Sequence, residues 1–169
     1  MPKIIAGLRE RLLCEAERQL MECGYSAMTI RGVAKACKVA VGTVYNYFTS
    51  KEEFVASVLL ARWKQALEEM GAAASAAREP EALLRSMYDQ LCAFLDQYRV
   101  LFQDEEAIAV FAASFARYHE LLRGQLARPL QAFCQSEFEA EFIAEALLTW
   151  TVAGEGFDEI YRVIQKIFK

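Results

Sequence analysis

Apolar positions recur along the chain at the 3.6-residue period of a helix, and no stretch sustains the alternation that marks a strand. Leu8, Leu12, Ala16 and Leu20 form one face of a first helix that Gly24 should stop. Ile30, Val33, Ala34 and Cys37 give a short second helix with Thr29 as its cap, and a third runs over about 40–47 with Val44 and Phe48 turned inward. Ser50-Lys51-Glu52-Glu53 reads as a capping box, with the Ser50 hydroxyl accepting from the Glu53 amide and the Glu53 carboxylate reaching back to the Ser50 amide. It opens a long fourth helix expected to end near Gly71, followed by a loop or frayed end over 72–78.

Glu79-Pro80 begins a fifth helix with proline at its first position and a face of Leu84, Met87, Tyr88, Leu91, Leu95, Tyr98 and Phe102. Asp104 caps a sixth containing Ile108, Phe111 and Phe115. The next segment, about 119–136, should kink at Pro129, which removes the bond to the Gln125 carbonyl. Phe138, Phe142, Ala146 and Trp150 mark a further helix, and Phe157, Ile160, Tyr161, Ile164, Ile167 and Phe168 make the sharpest apolar stripe of all. The expectation is an all-α fold of about nine helices, divided into a three-helix head over 1–51 and a helical body over 52–169.

Composition narrows the class. The 169 residues are 55% hydrophobic and 25% charged, with 8 Gly and 3 Pro, which excludes a disordered polymer and argues against a turn-rich β fold. No apolar run approaches the length needed to span a bilayer, and the N-terminus carries charge too early for a signal peptide, so the chain reads as a cytoplasmic protein making no membrane contact. Five cysteines without paired spacing and one histidine argue for reduced thiols and against a metal site; no cofactor is expected. Net charge is −4, yet residues 1–51 hold eight basic against four acidic side chains and the remainder eleven against nineteen. A positive head on an acidic body suggests a polyanion partner for the head.

The second and third helices, joined near Lys38-Val39, have helix-turn-helix dimensions: a small Ala34 where the helices cross, an apolar Val39 in the turn, and an apolar inner face on the second helix. The outer face offers Val41, Gly42, Thr43, Asn46 and Tyr47; Gly42 permits close backbone approach, and Thr43 and Asn46 have the hydrogen-bonding groups for a major groove. The runs Gly24-Tyr25-Ser26-Ala27-Met28-Thr29-Ile30-Arg31-Gly32-Val33-Ala34 and Val39 through Phe54 (VAVGTVYNYFTSKEEF) strongly resemble the TetR family of bacterial transcriptional regulators, over residues 5–55. Beyond residue 55 the likeness is one of length, helical content and order.

That resemblance implies a homodimer binding a near-palindromic operator on double-stranded DNA, most simply a repressor released when a small apolar or aromatic effector enters the body. Thr29 would cap the second helix near a phosphate, Arg31 would contact backbone or a base edge, Val41, Gly42, Thr43 and Asn46 would face the groove, and Tyr45, Tyr47 and Lys51 would anchor phosphates. A TetR-like coactivator that binds a protein in place of DNA is the alternative. Two departures bear on the turn: Lys38 stands where glycine is usual and must adopt the left-handed conformation, and Ala40 offers no side-chain cap to the recognition helix.

In the body, Trp63, Phe94, Tyr98, Phe102, Phe111, Phe115, Tyr118, His119 and Trp150 are each readable as core, or together as the lining of an effector cavity. Ala146, Trp150, Phe157, Tyr161, Ile164 and Phe168 exceed what one subunit's interior needs and suggest a four-helix dimer interface. With one histidine, no GxSxG and no phosphate-binding glycine loop, the sequence does not read as an enzyme.

Overall fold

The computed structural model describes residues 5–168, with the side chains of 113–117 outside the description. Among the described residues there are nine α-helices: α1 (Leu8–Ala27), α2 (Ile30–Ala36), α3 (Val41–Tyr45), α4 (Lys51–Ala76), α5 (Pro80–Gln97), α6 (Arg99–Phe102), α7 (Glu105–Leu130), α8 (Glu137–Val152) and α9 (Phe157–Ile164), with a 3-10 turn over Gln131–Phe133. The chain forms two compact units. The first takes residues up to Trp63 together with Gln97–Ala113, and the second takes Lys64–Asp96 and the chain from Ser114 onward. The expected head at 1–51 therefore lies within the first unit, alongside the first turns of α4, all of α6 and the start of α7.

The first unit is built on α1, whose buried Leu8, Leu12, Ala16 and Leu20 pack against α2 and α6. The regular helix breaks at Gly24, which takes φ 78° and ψ 174°, and a last turn follows to Ala27. Thr29 caps α2 by accepting from the Gly32 amide at 3.0 Å. A Cβ on Gly32 would lie 2.9 Å from Gln19 Oε1 and 3.1 Å from Thr29 Oγ1, so the cap itself crowds that position. The α2–α3 turn closes with Lys38 N–H donating to the Lys35 carbonyl and Val39 N–H to the Ala34 carbonyl, the paired bonds of a Schellman end.

Lys38 holds the left-handed position of that turn at φ 57°, among the described residues the one non-glycine at positive φ. A left-handed L-residue costs roughly 1–2 kcal/mol that glycine does not. Lys38→Gly is therefore expected to stabilise the head by about 1 kcal/mol, a rise of roughly 2–4 °C in melting temperature. Thermal melting by circular dichroism checks this; an unchanged or lower temperature would mean that the lysine side chain contributes more than the strain removes.

Three elements depart from the expected boundaries. The fourth helix passes Gly71 and continues to Ala76, because the alanine-rich run after the glycine favours helix. The segments expected as a sixth and a kinked seventh helix are one helix of 26 residues with Pro129 in its last turn, where losing the Gln125 carbonyl bond ends the helix without bending its middle. The face expected to continue from α5 into Tyr98 and Phe102 is interrupted, since Tyr98 leaves the helical region at φ −101°, ψ 16° and a separate short α6 begins.

In the second unit, α8 packs on α9. Ser136 caps α8 by accepting from the Glu139 amide, and the Glu139 carboxylate accepts from Gln135 N–H. Thr49–Glu53 repeats that arrangement: Ser50 Oγ accepts from the Glu53 amide, while the Glu53 carboxylate takes the Thr49 amide and hydroxyl rather than the Ser50 amide expected. After α8, Gly154 at φ 88° and the bond from Glu155 N–H to the Trp150 carbonyl form a second Schellman end that turns the chain into α9.

Candidate nucleic-acid interface

Three local devices aim one surface of the first unit. The Thr29 cap fixes the start of α2, the Lys38 turn fixes the angle at which α3 leaves, and the Ser50 cap fixes the start of α4. Between these starts lies an open groove of about 560 Å³ lined by Met28, Thr29, Ile30, Arg31, Val41, Tyr45, Thr49, Ser50 and Lys51. Five of the nine residues proposed from sequence to touch DNA thus line one groove: Thr29, Arg31, Val41, Tyr45 and Lys51. Thr29, Arg31 and Tyr45 are exposed, and Val41 and Lys51 are half-buried.

Gly42, Thr43 and Asn46 belong to the same short recognition segment. Gly42 is exposed, and a Cβ added there would meet nothing within 4 Å, so the fold does not require glycine at this position. Asn46 is exposed at the end of α3, and Thr43 is half-buried. Ala40 caps α3 with no side-chain bond, as its methyl dictates, although its carbonyl accepts from Thr43 N–H at 2.9 Å. Tyr47 has a different partner: its hydroxyl accepts from Ile5 N–H at 2.9 Å, pinning the chain just before α1 to the segment after α3.

Lys51 is half-buried and has partners on three sides. Its ammonium lies 4.1 Å from the centroid of the Tyr25 ring, donates to the Ser26 carbonyl at 3.4 Å, and stands 3.9 Å from Glu106 Oε1 of α7. Tyr25 beneath it is fully buried, edge-on to Phe111, with its hydroxyl donating to Glu52. Burial pushes the Tyr25 phenol up, and the neighbouring Glu52, Glu106 and Asp104 charges push it further. Asp104 joins the end of α1 to the start of α7: it accepts from Ser26 N–H and Oγ and caps Glu106 and Ala107 N–H. These bonds, led by the Ser26 amide, hold its carboxyl below the usual range.

A second polar group binds α1 to the rest of the unit. The Glu17 carboxylate, in a residue only 8% exposed, accepts from Arg62 of α4, from the Tyr98 hydroxyl at 2.6 Å and from Gln97 at 3.2 Å. Burial raises its pKa, but the Arg62 and Tyr98 hydrogen bonds outweigh that and hold it below the ordinary carboxylate value.

The residues considered for an effector cavity fall in both units. In the first, Trp63 and Tyr98 are buried, Phe111 is half-buried and Phe102 is exposed. In the second, Phe94, Tyr118 and His119 are half-buried and Trp150 is exposed; Phe115 lies outside the described side chains. His119 Nε2 is 3.5 Å from Glu145, which also accepts from Thr149 and pairs with Arg123. Of the residues considered for a dimer interface, Phe157 and Ile164 are buried, and Phe157 stacks on Tyr161 within its own unit. Ala146, Tyr161 and Phe168 are half-buried, and Trp150 faces outward with Phe138 and Phe142.

Sequence reasoning read Asp104 as a helix cap, which it is, but did not anticipate its bonds to Ser26, the pairing of Glu106 with Lys51 or the polar cluster at Glu17. Asp104 and Glu106 lie fifty residues or more beyond the motif they support, and no local pattern links them to it. Among the described residues no group of three or more His, Cys, Asp and Glu could hold a metal ion, and no helix is long and apolar enough to cross a membrane.

Comparison with known proteins finds a match over residues 12–58 to the family described as bacterial regulatory proteins, tetR family. The HTH-type transcriptional regulator UidR of Escherichia coli K12 is 30% identical over 59 residues, covering 35% of this chain and 30% of that protein. A Streptomyces coelicolor A3(2) protein described as a transcriptional regulator, SCO7518, superposes with a TM-score of 0.69 at 14% identity, covering 96% of this chain and 99% of its own. The multidrug binding protein EbrR, solved with imidazole, gives 0.62 at 18% identity over 98% and 92%. At these identities the structures share the all-helical fold.

Proposed function

We propose, from the match of residues 12–58 to bacterial regulatory proteins of the tetR family, that the chain is a DNA-binding transcriptional regulator. It acts as a dimer on a near-palindromic operator and is released as a repressor when a small apolar or aromatic effector occupies the body. The observation that carries the reading is the groove shared by Thr29, Arg31, Val41, Tyr45 and Lys51 at the starts of three helices. Arg31 and Lys51 bring positive charge to this groove and Thr29, Tyr45 and Ser50 bring hydroxyl groups, which suits a phosphate backbone. Val41, Gly42, Thr43 and Asn46 then face the base edges. The proteins that the chain resembles are transcriptional regulators, not enzymes.

Release follows from spacing. Two recognition helices must reach successive major grooves about one helical turn apart, roughly 34 Å, so a shift of a few ångströms between heads loses half of the contacts. An effector needs only to favour the mismatched spacing. EbrR, a neighbour in fold, is described as a multidrug binding protein, which fits an apolar effector here.

The test is a fluorescence-anisotropy titration against a labelled duplex from the DNA upstream of the protein's own gene, and against a scrambled duplex, over a salt series. Preference for the upstream duplex, with affinity falling steeply as salt rises, supports the reading. A dimer that ignores both duplexes at low salt overturns it and assigns the head to a protein partner. Within the same assay Gly42→Ala discriminates sharply. The protein has open space for the new methyl, so the melting temperature should hold, while the methyl should clash at the DNA and cut affinity by roughly tenfold or more. Equal affinity for both forms would mean that α3 does not approach DNA closely.

A further inference from the structure

We propose that the first turn of α7 competes with DNA for the Lys51 ammonium, so that Glu106 sets how tightly the head binds DNA. The inference rests on the DNA-binding reading above and adds to it a residue that tunes affinity. Lys51 has two sides. On one it lines the groove with Thr29, Arg31 and Tyr45; on the other it meets Glu106 at 3.9 Å. Its stem and ammonium rest on the buried Tyr25 ring, and its side chain is 21% exposed against 53% for Glu106. The cation is therefore held on a platform between the groove and α7, and is not a free surface lysine that swings to any anion.

The position of Glu106 is not accidental. Asp104 fixes the start of α7 to Ser26 at the end of α1, and its carboxylate is fully occupied by Ser26 and by the α7 amides. That leaves Glu106, in the first turn of the helix, as the carboxylate of α7 that pairs with Lys51. A phosphate entering the groove beside Thr29 and Ser50 would find an ammonium already countered from behind, and would be repelled by the same carboxylate. Neutralising Glu106 should free the ammonium and let Lys51 replace one condensed counterion more completely. The carboxylate sits on a helix that runs unbroken from Glu105 to Leu130. Fraying or shifting its first turn would change the charge offered to DNA with no change in the recognition helix.

The experiment is anisotropy on a labelled random-sequence duplex across a potassium chloride series, using the full chain as wild type, Glu106→Gln, Lys51→Met and the double variant. Methionine keeps an apolar stem on the Tyr25 ring and removes only the charge. Glu106→Gln is expected to bind roughly twofold to fivefold tighter per head, with a steeper salt slope. Lys51→Met should bind more weakly, with a slope smaller by about one per head. In the Lys51→Met background, Glu106→Gln should bring no gain, and Glu106→Asp in the wild-type background should stay close to wild type. A gain of equal size with and without Lys51 would overturn the competition and leave plain repulsion. No gain in the wild-type background would overturn the inference alone, whereas a wild type that binds no duplex at low salt would overturn the DNA-binding reading along with it.

Discussion

Glu17→Ala is expected to lower stability by about 3 kcal/mol and to lower the melting temperature by about 10 °C. The residue is 8% exposed and gathers donors from three places: Arg62 in α4, and Gln97 and Tyr98 at the break between α5 and α6. Alanine would leave the buried Tyr98 hydroxyl without this acceptor, take one carboxylate from Arg62 and open space beside α1. Arg62 is 41% exposed and regains water, so the loss stays below that of a fully buried pair. Glu17→Gln keeps the shape but presents an amide to a set of donors, and should cost about 2 kcal/mol; Tyr98→Phe removes one donor of several, for about 1 kcal/mol.

This cluster also has a pH signature. Because the native Glu17 carboxyl is held below its ordinary value, its ionised form stabilises the fold, fully above the unfolded carboxylate range and progressively less as pH falls through the lowered native value. The difference in melting temperature between wild type and Glu17→Gln should thus be constant near neutrality and shrink below about pH 4. A difference independent of pH down to the acid transition would show that packing, not charge, holds the cluster together.

The head was legible because its chemistry is local. Thr29, Arg31, Val41, Tyr45 and Lys51 lie within one stretch of 23 residues, and cap, turn and amphipathic signals fix the helix starts that bring them to one groove. Even the strained turn could be read through the family resemblance, which puts glycine where this sequence has Lys38 and so implies a left-handed residue there. What the period could not show is which face of a helix turns inward when nearly every face is apolar. On α8 the inner face is the smaller Ala140, Ile143, Ala144, Leu147 and Leu148, while the bulky Phe138, Phe142 and Trp150 point outward. Likewise Pro129 signalled a kink, but only its distance from the helix end decides whether a lost bond bends a helix or closes it. Glu106 and Glu17 were invisible for a third reason: a charged residue at an ordinary helix position says nothing about the cation it will meet across the fold.

The outward face of α8 supports the second large effect. Phe138, Phe142 and Trp150 are 75%, 50% and 52% exposed, and Phe138 and Phe142 lie 6.3 Å apart by ring centroid. They follow one another at four- and eight-residue steps, so they form a single stripe along the helix, and Val152 and Val163 add further exposed apolar surface. An apolar stripe of this kind exposed on a helix marks a surface suited to an interface. In a two-fold dimer the same stripe meets its own copy, which requires self-complementarity and no second partner. Phe157 and Ile164 are already spent inside their own unit, so the proposed interface centres on Trp150 with Phe138 and Phe142, and Ala146 leaves room for close approach.

Phe142→Asp together with Trp150→Arg is accordingly expected to give a monomer by light scattering after gel filtration, with an unchanged far-ultraviolet circular dichroism spectrum, because neither side chain belongs to the interior. Each head would then bind its half-site alone. Operator affinity should fall on the order of a hundredfold or more, since the second head no longer gains from the first, while the shallow affinity for random duplexes falls much less. Phe157→Asp is the informative contrast: it places a charge in the packed junction of Tyr88, Tyr161 and Arg85 and should unfold the second unit rather than separate two copies cleanly. A double variant that remains dimeric would move the interface off α8. A monomeric variant with full operator affinity would sever dimerisation from DNA binding, and with it the spacing mechanism of release.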